Sequence, residues 1–320
     1  MLVSVVMSTY NETEDELRKA IDSILNQTYR TLEFIIAIDN PTNVDISRIL
    51  HEYKNKDSRV IILNNKENLG LAMSLNRCLD EVKGEYIARM DADDISFPDR
   101  IENELKFLCE NGFDMVATDI ELINEENKVL ADKISYASTD TVKRILRYSN
   151  CIVHSTVMIK SEVIKSFNGY RSIKSAEDYD LWLRLLTSGY KIGIINRPLI
   201  SYRLRANGIL RSDKFGQHLS TQYVKQLYKF RKNKKNIDPF SEEDMKAYLE
   251  EHGYFNVEYK RKYEKCCNLY VIAKEDIETH KFIRGYWKLI KSMCLHKDRR
   301  LLAINIIHRK IMSIYIQYVH

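Results

Sequence analysis

Three aspartates lie within four positions at the end of a short apolar segment. Residues 86–90 are followed by Asp91, Asp93 and Asp94. In an extended chain alternate side chains share a face, so we expect Asp91 and Asp93 on the same side of a strand. Two carboxylates at the carboxyl end of a strand make a hard-oxygen site for Mg²⁺ or Mn²⁺ and a phosphate. An isolated motif of this kind is more often a solvated acidic turn. The choice between a metal site and such a turn therefore depends on the rest of the sequence.

A second acidic pair, Glu177 and Asp178, lies near the start of a predicted helix over residues 175–186. The partial positive charge at a helix N-terminus stabilises carboxylates at this position. A carboxylate there could also remove a proton from a reacting group. Helix capping is therefore the structural alternative to a general base.

The first 97 residues alternate between strand and helix patterns. Predicted strands cover 2–7, 33–39, 60–63 and 85–90, and predicted helices cover 13–25, 44–54 and 71–82. This alternation implies right-handed βαβ crossovers and a parallel sheet, which binds ligands outside the carboxyl ends of its strands. Thr9, Asn11, Asp39 and the cluster at 91–94 all lie at such ends.

The chain contains neither GxGxxG nor GxxxxGKS/T. This absence argues against a dinucleotide oxidoreductase and against a P-loop enzyme. A nucleotide diphosphate that binds without a glycine-rich cradle needs a metal to neutralise its charge, and Asp91 and Asp93 would supply the ligands.

Beyond Pro98 the alternation breaks. We predict a helix over 98–109, two strands within 114–131, a helix over 138–148, a strand over 154–159 and two short strands within 190–203. The fold class is therefore α/β, a mostly parallel sheet flanked by helices, with a helical C-terminal region. We expect one domain over 1–210, with halves 1–97 and 98–210, and a helical region over 211–320.

The composition is that of an ordinary globular protein of 320 residues, 44% hydrophobic and 30% charged. Its six cysteines form no CxxC pair, which favours reduced thiols over a zinc site. We recognise no signal peptide, and no segment approaches the about 20 apolar residues of a spanning helix. We expect a cytoplasmic protein, at most peripheral on the inner face of the cell membrane.

The net charge of +5 is unevenly distributed, because residues 281–320 carry nine Lys or Arg and one Asp. A basic tail favours an anionic partner. No zinc finger, helix-turn-helix or aromatic RNA-binding signature accompanies it, so we expect no nucleic acid. Residues 281–318 fit an interfacial helix on an anionic membrane, and equally a basic-faced hairpin packed on the first domain. Contact with a second copy of the chain stays open.

The first 210 residues or so resemble glycosyltransferase family 2, the inverting GT-A enzymes that build bacterial surface polysaccharides. The similarity lies in the blocks SVVMSTYN, NLG with LNR, ARMDADD with PDR, HSTVM and AEDYDLWLR, in that order. The resemblance implies a GT-A fold, a UDP-sugar donor, Mn²⁺ or Mg²⁺, and a glycan or lipid-linked acceptor. The half over 1–97 would bind the nucleotide, and the half over 98–210 would bind the acceptor.

The resemblance also implies residue roles. Asp178 would be the general base, with Glu177 as its alternative, and Asp93 would bind the metal with Asp91 nearer the ribose. Asp39 would face the uracil ring. The full implied nucleotide-sugar set is Ser8, Thr9, Tyr10, Asn11, Asp39, Asn68, Arg77, Arg89, Asp91, Ala92 and Asp93.

Some of these roles have alternatives. Asn68 and Arg77 could instead fix their turn, and Arg89 would contact either the nucleobase or a phosphate. Acceptor or diphosphate contacts are implied for His154, Trp182, Arg203 and Arg205. His154 could equally be a hydrogen-bonded turn residue.

The chain departs from the family pattern at two places. Asp39 is followed by Asn40 and Pro41, where relatives often have a second aspartate and a Gly-Ser turn. Arg205 occupies the position where many relatives carry a histidine, and a guanidinium cannot bind a cation.

Three other functions compete with glycosyl transfer. A nucleotidyltransferase would need a glycine-rich signature with a lysine near the N-terminus, and residues 8–11 have neither. A haloacid-dehalogenase phosphatase would place its aspartate motif after the first strand, whereas this motif follows the fourth. The intact carboxylate pairs argue against a non-catalytic sugar-nucleotide-binding or scaffold protein.

Overall fold

The computed structural model describes residues 1–205, 213–234, 237–279 and 281–295. Its strands are β1 Val3–Thr9, β2 Leu32–Ile38, β3 Val60–Asn64, β4 Tyr86–Asp91, β5 Ile95–Ser96, β6 Met115–Ile123, β7 Val129–Ile134, β8 Met158–Lys160 and β9 Ile192–Arg203. Its helices are α1 Glu14–Leu25, α2 Val44–Lys56, α3 Leu71–Glu81, α4 Arg100–Asn111, α5 Thr139–Leu146, α6 Ser161–Ser166, α7 Glu177–Thr187, α8 Lys214–Asn233, α9 Glu242–Glu251, α10 Val257–Glu278 and α11 Phe282–Leu295.

The strands form one mixed, mostly parallel sheet in the order β3-β2-β1-β4-β8-β6-β9-β5, with β7 on β6. The first four strands are mutually parallel, as the βαβ pattern predicts. β4 then pairs with β8 in antiparallel fashion, and β8 pairs with β6. The two predicted halves, 1–97 and 98–210, therefore share a single sheet.

The first βα unit shows how the sequence fixes these elements. Val3, Val5 and Val6 of β1 are fully buried, as expected for a central parallel strand covered on both faces. Thr13 caps α1 and forms a capping box with Glu16, so the helix begins directly after the carboxyl end of β1. This arrangement sets residues 8–12 at the ligand-binding edge of the sheet.

One glycine lies where only hydrogen fits beside the neighbouring strand. A Cβ on Gly84 would lie 2.7 Å from the carbonyl oxygen of Leu2 and 2.6 Å from Ser4 Oγ. Gly84 N–H donates to that same Ser4 Oγ at 2.8 Å. The close approach brings the start of β4 against β1 and so sets the position of the aspartates at its other end.

Two strand predictions are wrong. His154–Thr156 is a 3₁₀ turn, and the strand that follows it is only Met158–Lys160. The two short strands predicted within 190–203 are one strand, β9, whose pairing with β6 shifts register between Ile195 and Pro198. The irregularity at the proline looks in sequence like a break between strands.

The chain divides into two compact units, Met1–Arg211 with Val224–Pro239, and Ser212–Tyr223 with Phe240–His320. The first contains the sheet, and the second is helical where it is described. The basic segment predicted over 281–318 is a helix as far as Leu295, and the rest of it lies outside the described residues. Among the described helices, none combines the length and apolar character needed to cross a membrane.

Candidate active site

The aspartate cluster lies at the carboxyl end of β4, beside the end of β1. Asp91 is the last residue of β4 and pairs in register with Ser8. Its Oδ1 accepts a hydrogen bond from Arg89 Nη2 at 2.5 Å. Asp93 Oδ2 lies 3.6 Å from Arg205 Nη1 and is partly exposed, whereas Ala92 is buried. Asp91 and Asp93 therefore present carboxylates at the ligand-binding edge.

Asp94 has a different environment from its two neighbours. Its side chain is buried and accepts hydrogen bonds from Ser155 Oγ at 2.6 Å and from the Arg203 backbone N–H at 2.9 Å. Both oxygens thus have partners from distant segments of the chain. Asp94 fixes the turn that follows β4 and contains Asp93.

The donor set fits a divalent cation. Burial, followed by repulsion from Asp91 and Glu12, raises the pKa of Asp93 to about 7, although Arg205 opposes the shift. A bound cation would relieve this concentration of desolvated negative charge. Within the described residues, no group of three or more His, Cys, Asp or Glu side chains is placed to hold a metal. Mg²⁺ sites built from one or two carboxylates plus substrate phosphates need no third protein ligand.

The second acidic pair opens α7. Asp178 Oδ2 accepts a hydrogen bond from Asn150 Nδ2 at 2.8 Å, and its Oδ1 accepts one from the Tyr179 N–H at 2.6 Å. Burial raises the pKa of Asp178 to about 6, against these two donors. Burial and the adjacent Asp178 raise the pKa of Glu177 to about 7. Both carboxyls therefore titrate near neutrality, where a general base works best.

Arg89 connects the two acidic groups. Its side chain is 2% exposed, and its Nε and Nη1 are buried without a hydrogen-bond partner in the part of the chain that the structure describes. Its charge acts on Asp91 on one side and on Glu177 and Asp178 on the other, lowering the pKa of the latter two. The metal motif and the candidate base thus lie around one buried guanidinium.

Asp39, at the end of β2, holds the turn that precedes α3. Its carboxylate accepts from the backbone N–H groups of Leu69 and Gly70, at 2.8 and 3.0 Å, and from Asn65 Nδ2 at 2.8 Å. Asn65 also receives a hydrogen bond from Arg77 Nη1. Asp39 and Arg77 therefore take part in one network that shapes the 68–70 turn.

The residues after β1 are held by Glu12. Thr9 Oγ1 and the Tyr10 N–H both donate to Glu12 Oε2, at 2.5 and 2.8 Å. Asn11 Oδ1 accepts from Asn40 Nδ2 at 2.7 Å, which joins the ends of β1 and β2. Tyr10 is 43% exposed, so its ring is available to stack on a ligand.

The four residues with implied acceptor or diphosphate roles differ in accessibility. Arg205 is partly exposed and lies 3.3 Å from Glu16 Oε2 as well as near Asp93. Arg203 is buried and donates to the carbonyl oxygens of Asp93, Asn124 and Glu125.

The aromatic members of this set are in contact with each other, and Trp182 belongs to α7 itself. Trp182 is fully buried and packs edge-on against His154 at 6.0 Å between ring centroids. His154 Nε2 shares a hydrogen bond of 2.9 Å with Tyr170 Oη, and burial and Arg89 lower the pKa of His154 well below its usual value. His154 is thus a neutral, hydrogen-bonded residue next to Arg89.

Four residues in or beside this site were missed by the sequence reasoning: Glu12, Asn65, Asn150 and Tyr170. Tyr170 is anchored by paired hydrogen bonds between its backbone and the Asn76 side chain, at 2.7 and 2.8 Å. Each of these residues forms a hydrogen bond with a residue that is distant in sequence or with a backbone group. The sequence signal for Tyr170 was indirect, because its partner Asn76 belongs to the block LNR.

Comparison with known proteins places the chain among glycosyltransferases. Residues 4–166 match the model of glycosyl transferase family 2. An uncharacterized glycosyltransferase of Methanocaldococcus jannaschii is 37% identical over 240 residues, covering 74% of this chain and 81% of that protein. The O-antigen biosynthesis glycosyltransferase WbnJ of Escherichia coli is 35% identical over 213 residues, covering 66% of this chain and 83% of that protein.

A solved structure shows the same fold. S. aureus TarS 1-349 in complex with UDP-GlcNAc superposes with a TM-score of 0.60 at 15% sequence identity, covering 94% of this chain and 92% of that one. The GT-A fold expected from the resemblance is therefore confirmed. With a family model matched over half of its length and these relatives, the chain belongs to glycosyltransferase family 2.

Proposed function

We propose that this glycosyltransferase moves a hexose or N-acetylhexosamine from a UDP-sugar to a hydroxyl of a growing, lipid-linked polysaccharide, by a metal-dependent single displacement that inverts the anomeric centre. The observation that carries the proposal is the placement of two acidic groups around Arg89, one at the end of β4 and one at the start of α7. UDP-GlcNAc bound to TarS and the O-antigen pathway of WbnJ support the choice of donor and acceptor.

The donor would lie along the edge formed by β1, β2 and β4. Tyr10 offers an exposed ring there, and Asp39 retains acceptor capacity on Oδ2, which receives only one of its three hydrogen bonds. Asp93 and Asp91 would hold Mn²⁺ or Mg²⁺, which when bound stabilises the negative charge of the leaving diphosphate. The Nε and Nη1 groups of Arg89, which have no hydrogen-bond partner among the described residues, would bind an oxygen of the UDP-sugar.

The chemical step needs a base on the opposite face of the sugar ring. In the proposed step, the acceptor oxygen forms a bond to the anomeric carbon while the bond from that carbon to the diphosphate breaks, and Asp178 takes the acceptor proton. Asn150 and the Tyr179 N–H orient the Asp178 carboxylate for this transfer. The buried setting strengthens each of these electrostatic contacts.

A panel of UDP-sugars, assayed for UDP release with Mn²⁺, with Mg²⁺ and with a chelator, tests the proposal. We expect one or a few donors to be turned over, and only when a metal is present. A nucleotidyltransferase would release pyrophosphate from nucleoside triphosphates instead. A scaffold protein would bind UDP-sugars without any turnover.

A further inference from the structure

Helix α11 exposes apolar side chains along one face. Ile283 is 80% exposed, Tyr286 55%, Trp287 70% and Ile290 53%. Their spacing of i, i+3, i+4 and i+7 places all four within an arc of about 100° on the helix surface. Buried Ser292 on the opposite side donates to the Cys266 carbonyl oxygen of α10. These four residues, the α11 stripe, thus point away from the partner helix.

Helix α10 also exposes two apolar side chains. Its Val271 is 49% exposed and its Ile272 is 41% exposed. Asp276 pairs with Lys288 at 2.6 Å, and the hydrogen bond from Ser292 reaches Cys266. Val271 and Ile272, midway between these contacts, therefore lie level with the last turn of the α11 stripe.

The charged side chains of α11 itself all have one sign. Residues 281–295 contain four Lys or Arg and no Asp or Glu. At 100° per residue, Lys291 and Arg284 lie along one border of the stripe. Arg284 Nε also lies 3.2 Å from Asp276 Oδ2 of α10, and its side chain stays 66% exposed. Lys281 and Lys291 are exposed, and the following residues 296–320 add five Lys or Arg against one Asp.

We propose that the α11 stripe docks this protein onto an anionic lipid bilayer, with Ile283, Trp287 and Ile290 entering the headgroup boundary and the bordering cations contacting lipid phosphates. Trp and Tyr favour this boundary because each carries a polar group on an apolar ring. Self-association through the same stripe would bring two cationic borders together, at an electrostatic cost. Anionic lipid satisfies both the apolar and the charged part of the surface.

The intrinsic fluorescence of the full chain tests this directly. The sequence has two tryptophans, and Trp182 is fully buried, so Trp287 reports on the stripe. Vesicles of phosphatidylcholine with about 30% phosphatidylglycerol should shift the emission to the blue, and brominated lipid should quench it, while pure phosphatidylcholine should act much more weakly. Unchanged emission with anionic vesicles would overturn the proposal. The measurement needs no donor or acceptor, so it succeeds or fails independently of the proposed transfer.

Substitutions then locate the binding surface. The double variant Trp287→Ser/Ile290→Ser should lower co-sedimentation with anionic vesicles by about a hundredfold in partition coefficient. The control Val44→Ser/Ile237→Ser changes two side chains that are 78% and 63% exposed elsewhere, and it should bind as the wild type does. Wild-type binding by the stripe variant would contradict the proposal. A wild-type dimer that forms without lipid and becomes monomeric in this variant would also contradict the proposal, because a second copy of the chain would then occupy the stripe.

Discussion

Replacing Asn150 by alanine should move the acid limb of the activity profile upward in pH. Asn150 Nδ2 donates to Asp178 at 2.8 Å and thereby lowers the pKa of that carboxyl, which burial has raised to about 6. A general base acts only when deprotonated, so activity is present above its pKa and is lost as the pH falls through it. Removing the Asn150 hydrogen bond raises the pKa of Asp178, so activity is lost at a higher pH than in the wild type.

The size of the shift follows from the hydrogen bond. A bond to a charged group contributes about 1.5 kcal/mol, which corresponds to about one pKa unit. The ionised fraction of Asp178 would fall from about one half to about one tenth at pH 6, and from about nine tenths to about one half at pH 7. Activity above about pH 8.5 should be nearly unchanged. Because Glu177 interacts with Asp178, the measured midpoint belongs to the pair, but its direction of change is the same.

The assay is UDP release at saturating metal and donor between pH 5 and pH 9. A control, Asn111→Ala, removes an exposed asparagine whose side chain donates to a carbonyl oxygen of its own helix, and it should keep the wild-type profile. An equal loss of rate at every pH would mean that Asn150 positions the acceptor or maintains the folded structure. An unmoved midpoint would mean that Asp178 is not the titrating base.

Three further predictions concern single residues. Asp93→Asn should reduce UDP affinity in Mn²⁺ to the level seen in chelator, measured by calorimetry, and a retained metal dependence would remove Asp93 from the metal site. Arg89→Met should raise the pH midpoint of UDP release, because its charge lowers the pKa of Asp178, and Arg89→Lys should partly restore it. Asp39→Ala should lower the free energy of unfolding by about 3 kcal/mol through the loss of three hydrogen bonds, whereas exposed Asp45→Ala should change it little. Equal stability of these last two variants would contradict the role of Asp39 in the turn.

The first four strands and the residues at their ends could be predicted because the signal is local. Val3–Thr9 and Leu32–Ile38 are buried apolar runs, and chain direction then places Asp39 and Asp91 at one edge of the sheet. The position of Asp178 follows from the acidic start of α7 in the same way.

The contacts that hold these residues join segments far apart in sequence, and one chain offers no pattern for them. Asn76 meets Tyr170 across 94 positions, and Ser155 meets Asp94 across 61. The need of buried Asp94 for a donor explains why residues 154–156 turn instead of extending. Such partners can be identified only from the three-dimensional structure, in which the sheet brings these segments together.

The central claim is that Asp178 removes the acceptor proton at a site that binds the donor independently. Turnover and UDP affinity of the wild type and Asp178→Asn, measured on the same samples with Mn²⁺ and the preferred UDP-sugar, test it most directly. We expect turnover to fall by about 10²–10⁴-fold while UDP affinity stays unchanged. Wild-type turnover in the variant would contradict the account.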